Sequence, residues 1–436
     1  MSLRREFGPM LRLAAPLAIA ELGWMAMGIV DTMMAGPLGA AAVGAGSLGG
    51  NVGYPITVGA AGLLLGMDTL VSQSFGAKDH RDYRHTLINA VWLAVAISPV
   101  IILANLAMIP ILRAVGTNPH VMADFDPFVR GLQWGVPPLL IFFALRRYLQ
   151  AVDVVKPVTF ALISANVINA AGNWWLMYHL GMGLKGSGYS TSAARLYLGI
   201  VMSLAVVWHE RKSGSLLWRL PWRPDFSRIS RLLSLGLPAA GQLAVEGAVF
   251  GIVTVMAAKL DEASLAAHGI AVLVIATVYM VPLGISSAAA VRVGQAIGRR
   301  EPGSAAAAGW AAIGIAAIFA IAAGIVMWAL AGAIVHRFIP NTAVVQSGQR
   351  LLRIAAFFVL FDAIQVTTTG ALRGIGDTRT SMLAHFFGYW LIGMPVAYAL
   401  CFPYGWGAAG IWAGLDTAVI LIGSALLLAW RRLLPR

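Results

Sequence analysis

The stretch Gly62-Leu63-Leu64-Leu65-Gly66-Met67-Asp68-Thr69-Leu70-Val71-Ser72-Gln73-Ser74-Phe75-Gly76 carries the reading of the fold. It closes an apolar run, 44–72, that is long enough to cross a bilayer as a helix. Its marker positions return 222 residues later: Gly62 as Gly284, Gln73 as Gln295 and Gly76 as Gly298. At the same offset Pro16 pairs with Pro238, Gly183 with Gly405 and Gly188 with Gly410, while Leu-Gln-Ala at 149–151 meets Leu-Arg-Gly at 372–374 with a slip of one residue. A fixed offset over most of each half points to a duplicated unit and not to chance identities in a Gly-rich apolar chain.

The surroundings of that stretch are apolar throughout. Hydrophobic residues make up 59% of the 436 and charged residues 11%, against about 25% charged in soluble domains. So few charges cannot cover a water-exposed surface of this size, so lipid is the main solvent. The 48 glycines suit a membrane bundle, where small residues let helix backbones approach. The net charge of +13 does not signal nucleic acid, because the basic residues sit in short loops between apolar runs. Cys401 is the one cysteine, so no intramolecular disulfide forms, and nothing resembles a zinc or haem site. Ala18-Ile19-Ala20 has the look of a signal-peptidase site, but the apolar run continues past it to Ala35 and reads as a span.

Apolar runs of helical length predict twelve spans, at 10–34, 44–72, 87–113, 124–152, 158–180, 189–208, 230–258, 264–293, 304–337, 342–374, 380–400 and 408–429. Alternating the loops between two sides divides the 31 basic residues 23 to 8. The richer side holds both termini and the 209–229 linker, which places them in the cytoplasm. The fold class expected is therefore an all-α integral membrane protein with twelve transmembrane helices in two six-helix bundles: an N-lobe at 1–208, a cytoplasmic linker at 209–229 and a C-lobe at 230–436. Six spans per copy is an even number, so the copies share one orientation and a pseudo-twofold axis along the membrane normal relates them. Two such lobes around a cavity can rock and alternate access, which makes a secondary transporter the expected function.

Acidic residues inside spans are costly, about 2.5–3.5 kcal/mol each on insertion scales, and so are functional candidates. Asp31 in span 1 falls at the same depth as Asn169 and Asn173 of span 5, which are four apart on one helix face, and as Thr191 at the start of span 6. One carboxylate, two amides and a hydroxyl suit a monovalent cation, and the carboxylate can take a proton instead. Interhelical hydrogen bonding by the asparagines is the alternative. Glu246 in span 7 and Asp362 in span 10 lie near mid-membrane with no basic neighbour in their own spans at helical spacing; they either take up protons or cations, or pair with a distant Arg350 or Arg353. Glu21 and Asp68 are further candidates, Asp68 near a span end where a gate or cap is as natural as a site. Asp416 reads as structural. The aromatics Tyr54, Trp174, Trp175, Phe250, Tyr279, Phe357, Phe358 and Phe361 lie at similar depths, mostly as core or lipid-facing groups.

Several of these segments resemble one family. Val30-Asp31-Thr32-Met33-Met34-Ala35-Gly36, Asp68-Thr69-Leu70-Val71-Ser72-Gln73-Ser74-Phe75-Gly76-Ala77, Arg147-Tyr148-Leu149-Gln150-Ala151 and Gly370-Ala371-Leu372-Arg373-Gly374-Ile375-Gly376-Asp377-Thr378-Arg379 resemble motifs of the multidrug and toxic compound extrusion (MATE) transporters. The Glu246 and Asp362 pair is similar to the NorM-like branch. The resemblance implies a multidrug efflux antiporter without a cofactor, exporting organic, mostly cationic compounds in exchange for Na+ or H+, acting as a monomer in the bacterial inner membrane. It implies a cation site at Asp31, Asn169, Asn173 and Thr191, and a cation and substrate site at Glu246 and Asp362. Glu21 departs from the pattern, which has a neutral residue there. A lipid-linked oligosaccharide flippase of related architecture is the alternative, but it calls for basic residues in the cavity, whereas the buried charges here are mainly acidic. A membrane-embedded enzyme would need a reactive cluster at one depth, and the sequence offers none.

Overall fold

Each expected span is helical, and most helices outrun the lipid. The computed structural model describes residues 3–214 and 217–434, with the backbone alone at 3, 4, 40, 51, 52 and 54; the Tyr54 side chain and positions 215–216 of the linker thus lie outside the described residues. Span 1 is α1 (Leu3–Ala35); span 2 is α2 (Ala40–Leu63) and α3 (Gly66–Gly76); span 3 is α4 (His80–Ala114); span 4 is α5 (Pro119–Gln133) and α6 (Val136–Ala151). Span 5 is α7 (Lys156–Asn173) continued by a π-helix (Trp174–His179), and span 6 is α8 (Leu184–Lys212). The second half follows the same order: α9 (Phe226–Ala258), α10 (Glu262–Gly298), α11 (Pro302–Phe338), α12 (Thr342–Ile375), then α13 (Arg379–His385), a π-helix (Phe386–Gly393) and α14 (Met394–Cys401) as span 11, and α15 (Ala408–Leu433).

Ten of these segments are each long and apolar enough to cross a membrane, and α5 with α6, bent by 50°, make an eleventh. The break in span 4 falls before Pro137 and Pro138, which offer no N–H to continue a helix. The remaining expected span, α7 with its π-helix, carries Ser164, Asn166, Asn169, Asn173 and His179, which dilute its apolar character. The protein is a multi-pass membrane protein of helices alone among the described residues.

The duplication recurs hydrogen bond for hydrogen bond at the turns, but its offset drifts. After α3, Ala77 N donates to Gln73 O and Asp79 N to Ser74 O; after α10, Arg299 N donates to Gln295 O and Glu301 N to Ala296 O, at offset 222. Lys78 and Arg300, also 222 apart, both take a left-handed φ, 60° and 61°. After α6 and α12 the offset is 223: Val154 N bonds Leu149 O as Asp377 N bonds Leu372 O. Between spans 5 and 6 it is 224: Met182 N bonds Leu176 O, and Trp406 N bonds Leu400 O. The sequence pairing of Gly183 with Gly405 and Gly188 with Gly410 is corrected accordingly. Gly183 matches Gly407, each with φ near +60° just before a helix, and Gly186 matches Gly410. An added Cβ at Gly186 would sit 2.7 Å from Leu176 C, and one at Gly410 2.6 Å from Leu400 C. The backbone approach, and not the count along the chain, fixes which glycine answers which.

The chain packs as two compact units, one of Met1–Ala18 with Gly241–Arg436 and one of Ile19–Ala240. These are not the stretches 1–208 and 230–436 expected as lobes. The first half of α1 packs with the second-half helices, and the first half of α9 with the first-half helices. Glycine makes both crossings possible. A Cβ on Gly284 of α10 would lie 2.5 Å from Ala18 N of α1. A Cβ on Gly62 of α2 would lie 2.7 Å from Ala240 Cα of α9. Both partners in the second contact stand 222 residues from those in the first. Within the Ile19–Ala240 unit the core runs from Leu64 and Met67 through Leu139, Phe142 and Leu149 to Leu162, Leu198 and Met202.

Candidate functional site

Three helices bring the first candidate cluster together. Asn173 Nδ2 of α7 donates to Asp31 Oδ1 of α1 at 2.6 Å, and Thr191 Oγ1 of α8 donates to Asp31 Oδ2 at 3.3 Å. Asn169 Nδ2 donates to Thr191 Oγ1 at 3.3 Å and also reaches Asp31. Both asparagines are fully buried, with 1% and 0% of their surface exposed. Their spacing of four residues puts them on one face, and Ser190 Oγ fixes that face by donating to Asn169 O at 2.8 Å. The π-helix starts directly after Asn173, and Tyr178 within it donates its hydroxyl to Met34 O, tying this segment back to α1. Such π turns recur at functional positions.

The chemistry of the donor set fits a small cation. Asn169 Oδ1 and Asn173 Oδ1 are buried without a hydrogen-bond partner. An unmet buried acceptor is costly, and a cation beside the Asp31 carboxylate would satisfy both amide oxygens. Arg195, one turn along α8 from Thr191, lies close enough to act on the Asp31 charge. Counting by side groups Arg195 only with the basic residues of the poorer side; its spacing of four from Thr191 is the signal in the sequence.

The second cluster lies in the other unit. Glu246 of α9 and Asp362 of α12 are close enough to interact electrostatically. Asp362 Oδ1 accepts from Gln365 Nε2 at 2.9 Å, and Glu246 Oε2 is buried without a partner. Tyr279 of α10 and Tyr389 of the second π-helix lie in the field of both acids, and the Tyr389 hydroxyl is likewise buried and unmet. Among the described residues neither acid pairs with Arg350 or Arg353; the Arg353 guanidinium instead lies 5.1 Å over the Trp328 ring. Gln365 and Tyr389 are not among the candidates that acidity and depth pick out in the sequence. Gln365 could have been found from its position one turn after Asp362, whereas nothing local marks Tyr389. Of the aromatic candidates, Phe358 is core against Trp412, and Trp174, Trp175 and Phe357 are exposed on the protein surface.

Glu21 and Asp68 are occupied differently. Three consecutive residues of α6 radiate to three helices, as 100° per residue requires. Arg146 pairs with Glu21 of α1, Arg147 Nη1 lies 3.4 Å from Asp68 Oδ2 of α3, and the Tyr148 hydroxyl donates to Glu210 of α8. Glu210 also takes Arg84 Nε of α4 at 2.6 Å. The Arg146 and Glu21 side chains are 2% and 8% exposed. The Glu21 charge is met by Arg146, a residue that the count by side groups with the loop residues. The Arg147-to-Ala151 motif thus begins inside an ion-pair clamp joining α1, α3, α4, α6 and α8.

Comparison with known proteins agrees with this architecture. The MatE family model matches residues 16–175 and 238–399, one copy in each half. A protein of Mesorhizobium japonicum described as "Probable multidrug resistance protein NorM" is 33% identical over 440 residues, covering 98% of this chain and 94% of its own length. One of Burkholderia vietnamiensis, "Multidrug resistance protein NorM", is 34% identical over 440 residues, with 99% and 94% covered. Among solved structures the eukaryotic MATE transporter AtDTX14 superposes with a TM-score of 0.89 at 19% identity, over 99% of this chain and 97% of that one, a likeness of fold.

Proposed function

The chain belongs to the MatE family, and on that premise we propose that it is a secondary multidrug efflux antiporter. It exports organic, mostly cationic and amphiphilic compounds from the cytoplasm across the inner membrane in exchange for Na+ or H+, working as a monomer with no cofactor. The observation that carries this reading is the Asp31 cluster. A half-buried carboxylate with two buried, unmet amide oxygens beside it is a place where a monovalent cation or a proton changes the local charge by one. A transporter couples two fluxes only if an ion binds its two conformations with different affinity. A charge switch inside low-dielectric surroundings supplies that difference.

Asp31, Asn169, Asn173 and Thr191 hold the coupling ion in this reading. Glu246 and Asp362 take cation or cationic substrate, with the Tyr279 and Tyr389 rings as neighbouring faces for planar cations. The hydrogen-bonding side chains of both clusters are acidic or neutral, and Arg195 beside the first faces the Asp31 carboxylate, which disfavours a pyrophosphate-linked sugar; the buried Arg146 is already paired with Glu21. The test is ethidium efflux from proteoliposomes with Na+ and proton gradients imposed separately. Efflux that follows one gradient and stops when it collapses is the expected result. Efflux indifferent to both gradients would overturn the coupling.

A further inference from the structure

A pocket lined by none of the residues of either cluster lies at the end of its unit that carries the turn between α11 and α12. It is an open pocket of about 560 Å³ lined by Trp328 of α11, by Gln346, Gln349, Arg350, Arg353, Ile354 and Phe357 of α12, and by Asp416 of α15. The α12 residues follow a helical stripe of three and four residue steps, so one face of that helix is turned to the pocket. Among the described residues neither Arg350 nor Arg353 forms an ion pair. Asp416 Oδ1 is buried without a hydrogen-bond partner. Trp328 and Phe357 at the rim are 51% and 64% exposed.

Depth identifies the medium that the pocket meets. α11 has 37 residues and α12 has 34, roughly 56 and 51 Å at 1.5 Å per residue. Against a hydrocarbon layer of about 30 Å each overshoots by more than ~20 Å in all, or ~10 Å at each end. Arg350 and Arg353 lie ~12 and ~17 Å along α12 from its start, and Trp328 ~15 Å from the end of α11. With the overshoot shared equally, the α12 backbone at Arg350 and Arg353 falls ~2 and ~7 Å inside the hydrocarbon layer, within snorkelling reach of the headgroups, with exposed aromatics beside them as at a membrane interface.

We propose that this pocket holds one phospholipid whose headgroup joins a phosphodiester to a primary ammonium. Arg350 and Arg353 take the phosphate, as guanidinium groups do; Gln346 and Gln349 offer amide donors beside it. The ammonium meets Asp416, whose buried oxygen a purely anionic headgroup would leave unmet. The acyl chains run along Phe357 and Ile354. The proposal is independent of the ion-coupling reading, since it uses none of the residues of either cluster.

The test is native mass spectrometry of the full chain, exchanged into detergent with equal amounts of phosphatidylethanolamine and phosphatidylglycerol. Retention of the first over the second by about tenfold, the scale of one charge-assisted hydrogen bond, is expected in the unaltered protein. Asp416→Asn is expected to bring the two lipids level, and the double change Arg350→Gln, Arg353→Gln to lose both. Arg130→Gln, in the Ile19–Ala240 unit, should leave the ratio as it was. Equal retention of both lipids by the unaltered protein overturns the proposal, as annular lipid only. Competition by soluble glycerophosphoethanolamine as strong as by the lipid overturns it in favour of a water-soluble ligand.

Discussion

Arg146 of α6 and Glu21 of α1 form an ion pair that is 2% and 8% exposed, inside the unit that also holds the Asp31 cluster. Removing one partner leaves the other charge buried alone, which typically costs about 3–5 kcal/mol. Glu21→Gln and Arg146→Gln should each lower the melting temperature in detergent, followed by tryptophan fluorescence. The double change should recover much of the loss. Residual transport by Glu21→Gln should fall equally for neutral and cationic substrates. A KM rise confined to cations would show that Glu21 serves the substrate path after all.

Asp31→Asn is expected to lower gradient-driven efflux by about tenfold or more, the scale of typical coupling free energies, while leaving expression and folding intact. An amide keeps the hydrogen-bonding shape but cannot change charge with its ligand. Asn169→Ala with Asn173→Ala should weaken the apparent affinity for the coupling ion and leave coupling in place at saturating ion. Vesicle transport over a range of Na+ and pH separates the two effects. Normal transport by Asp31→Asn would remove this cluster from the mechanism.

Glu246→Gln and Asp362→Asn should each reduce export, and each should flatten the Na+ or pH dependence of drug binding measured by fluorescence quenching. By linkage, drug must weaken ion affinity by the same factor as ion weakens drug affinity. Drug binding to the double variant that keeps its full ion dependence would confine coupling to Asp31 and leave the second cluster as a wall.

Gly284→Ala and Gly62→Ala should destabilise by about 1–3 kcal/mol, because the new methyl meets backbone atoms of Ala18 and Ala240 that cannot swing aside. Gly59→Ala is the control. Nothing lies within 4 Å of a Cβ there, and alanine favours the helix by up to about 1 kcal/mol. Thermal unfolding of the three variants ranks them. Equal tolerance at all three positions would mean that backbone contact does not limit the two helix crossings.

The sequence by itself determined what solvent, periodicity and repetition can determine. Lipid demands helices, so the apolar runs became α1 to α15 nearly where their limits were read, and the 222 spacing of Gly62 and Gly284 announced two copies. Asp31, Asn169, Asn173 and Thr191 could be gathered because depth along a span and face around a helix are both linear in residue number. Tertiary structure alone decided what depends on rotation and neighbours. Arg146, Arg147 and Tyr148 are adjacent in the chain yet serve three different helices, and no count of charges by side reveals that Glu21 is neutralised by one of them. The drift of the repeat from 222 to 224 shows only where backbones touch, at Gly186 and Gly410. The exchange of the first halves of α1 and α9 between the compact units has the same origin. Gly62 and Gly284 admit backbone contact with Ala240 and Ala18, 178 and 266 residues away along the chain, and that closeness is a property of packing, which a string of residues does not carry.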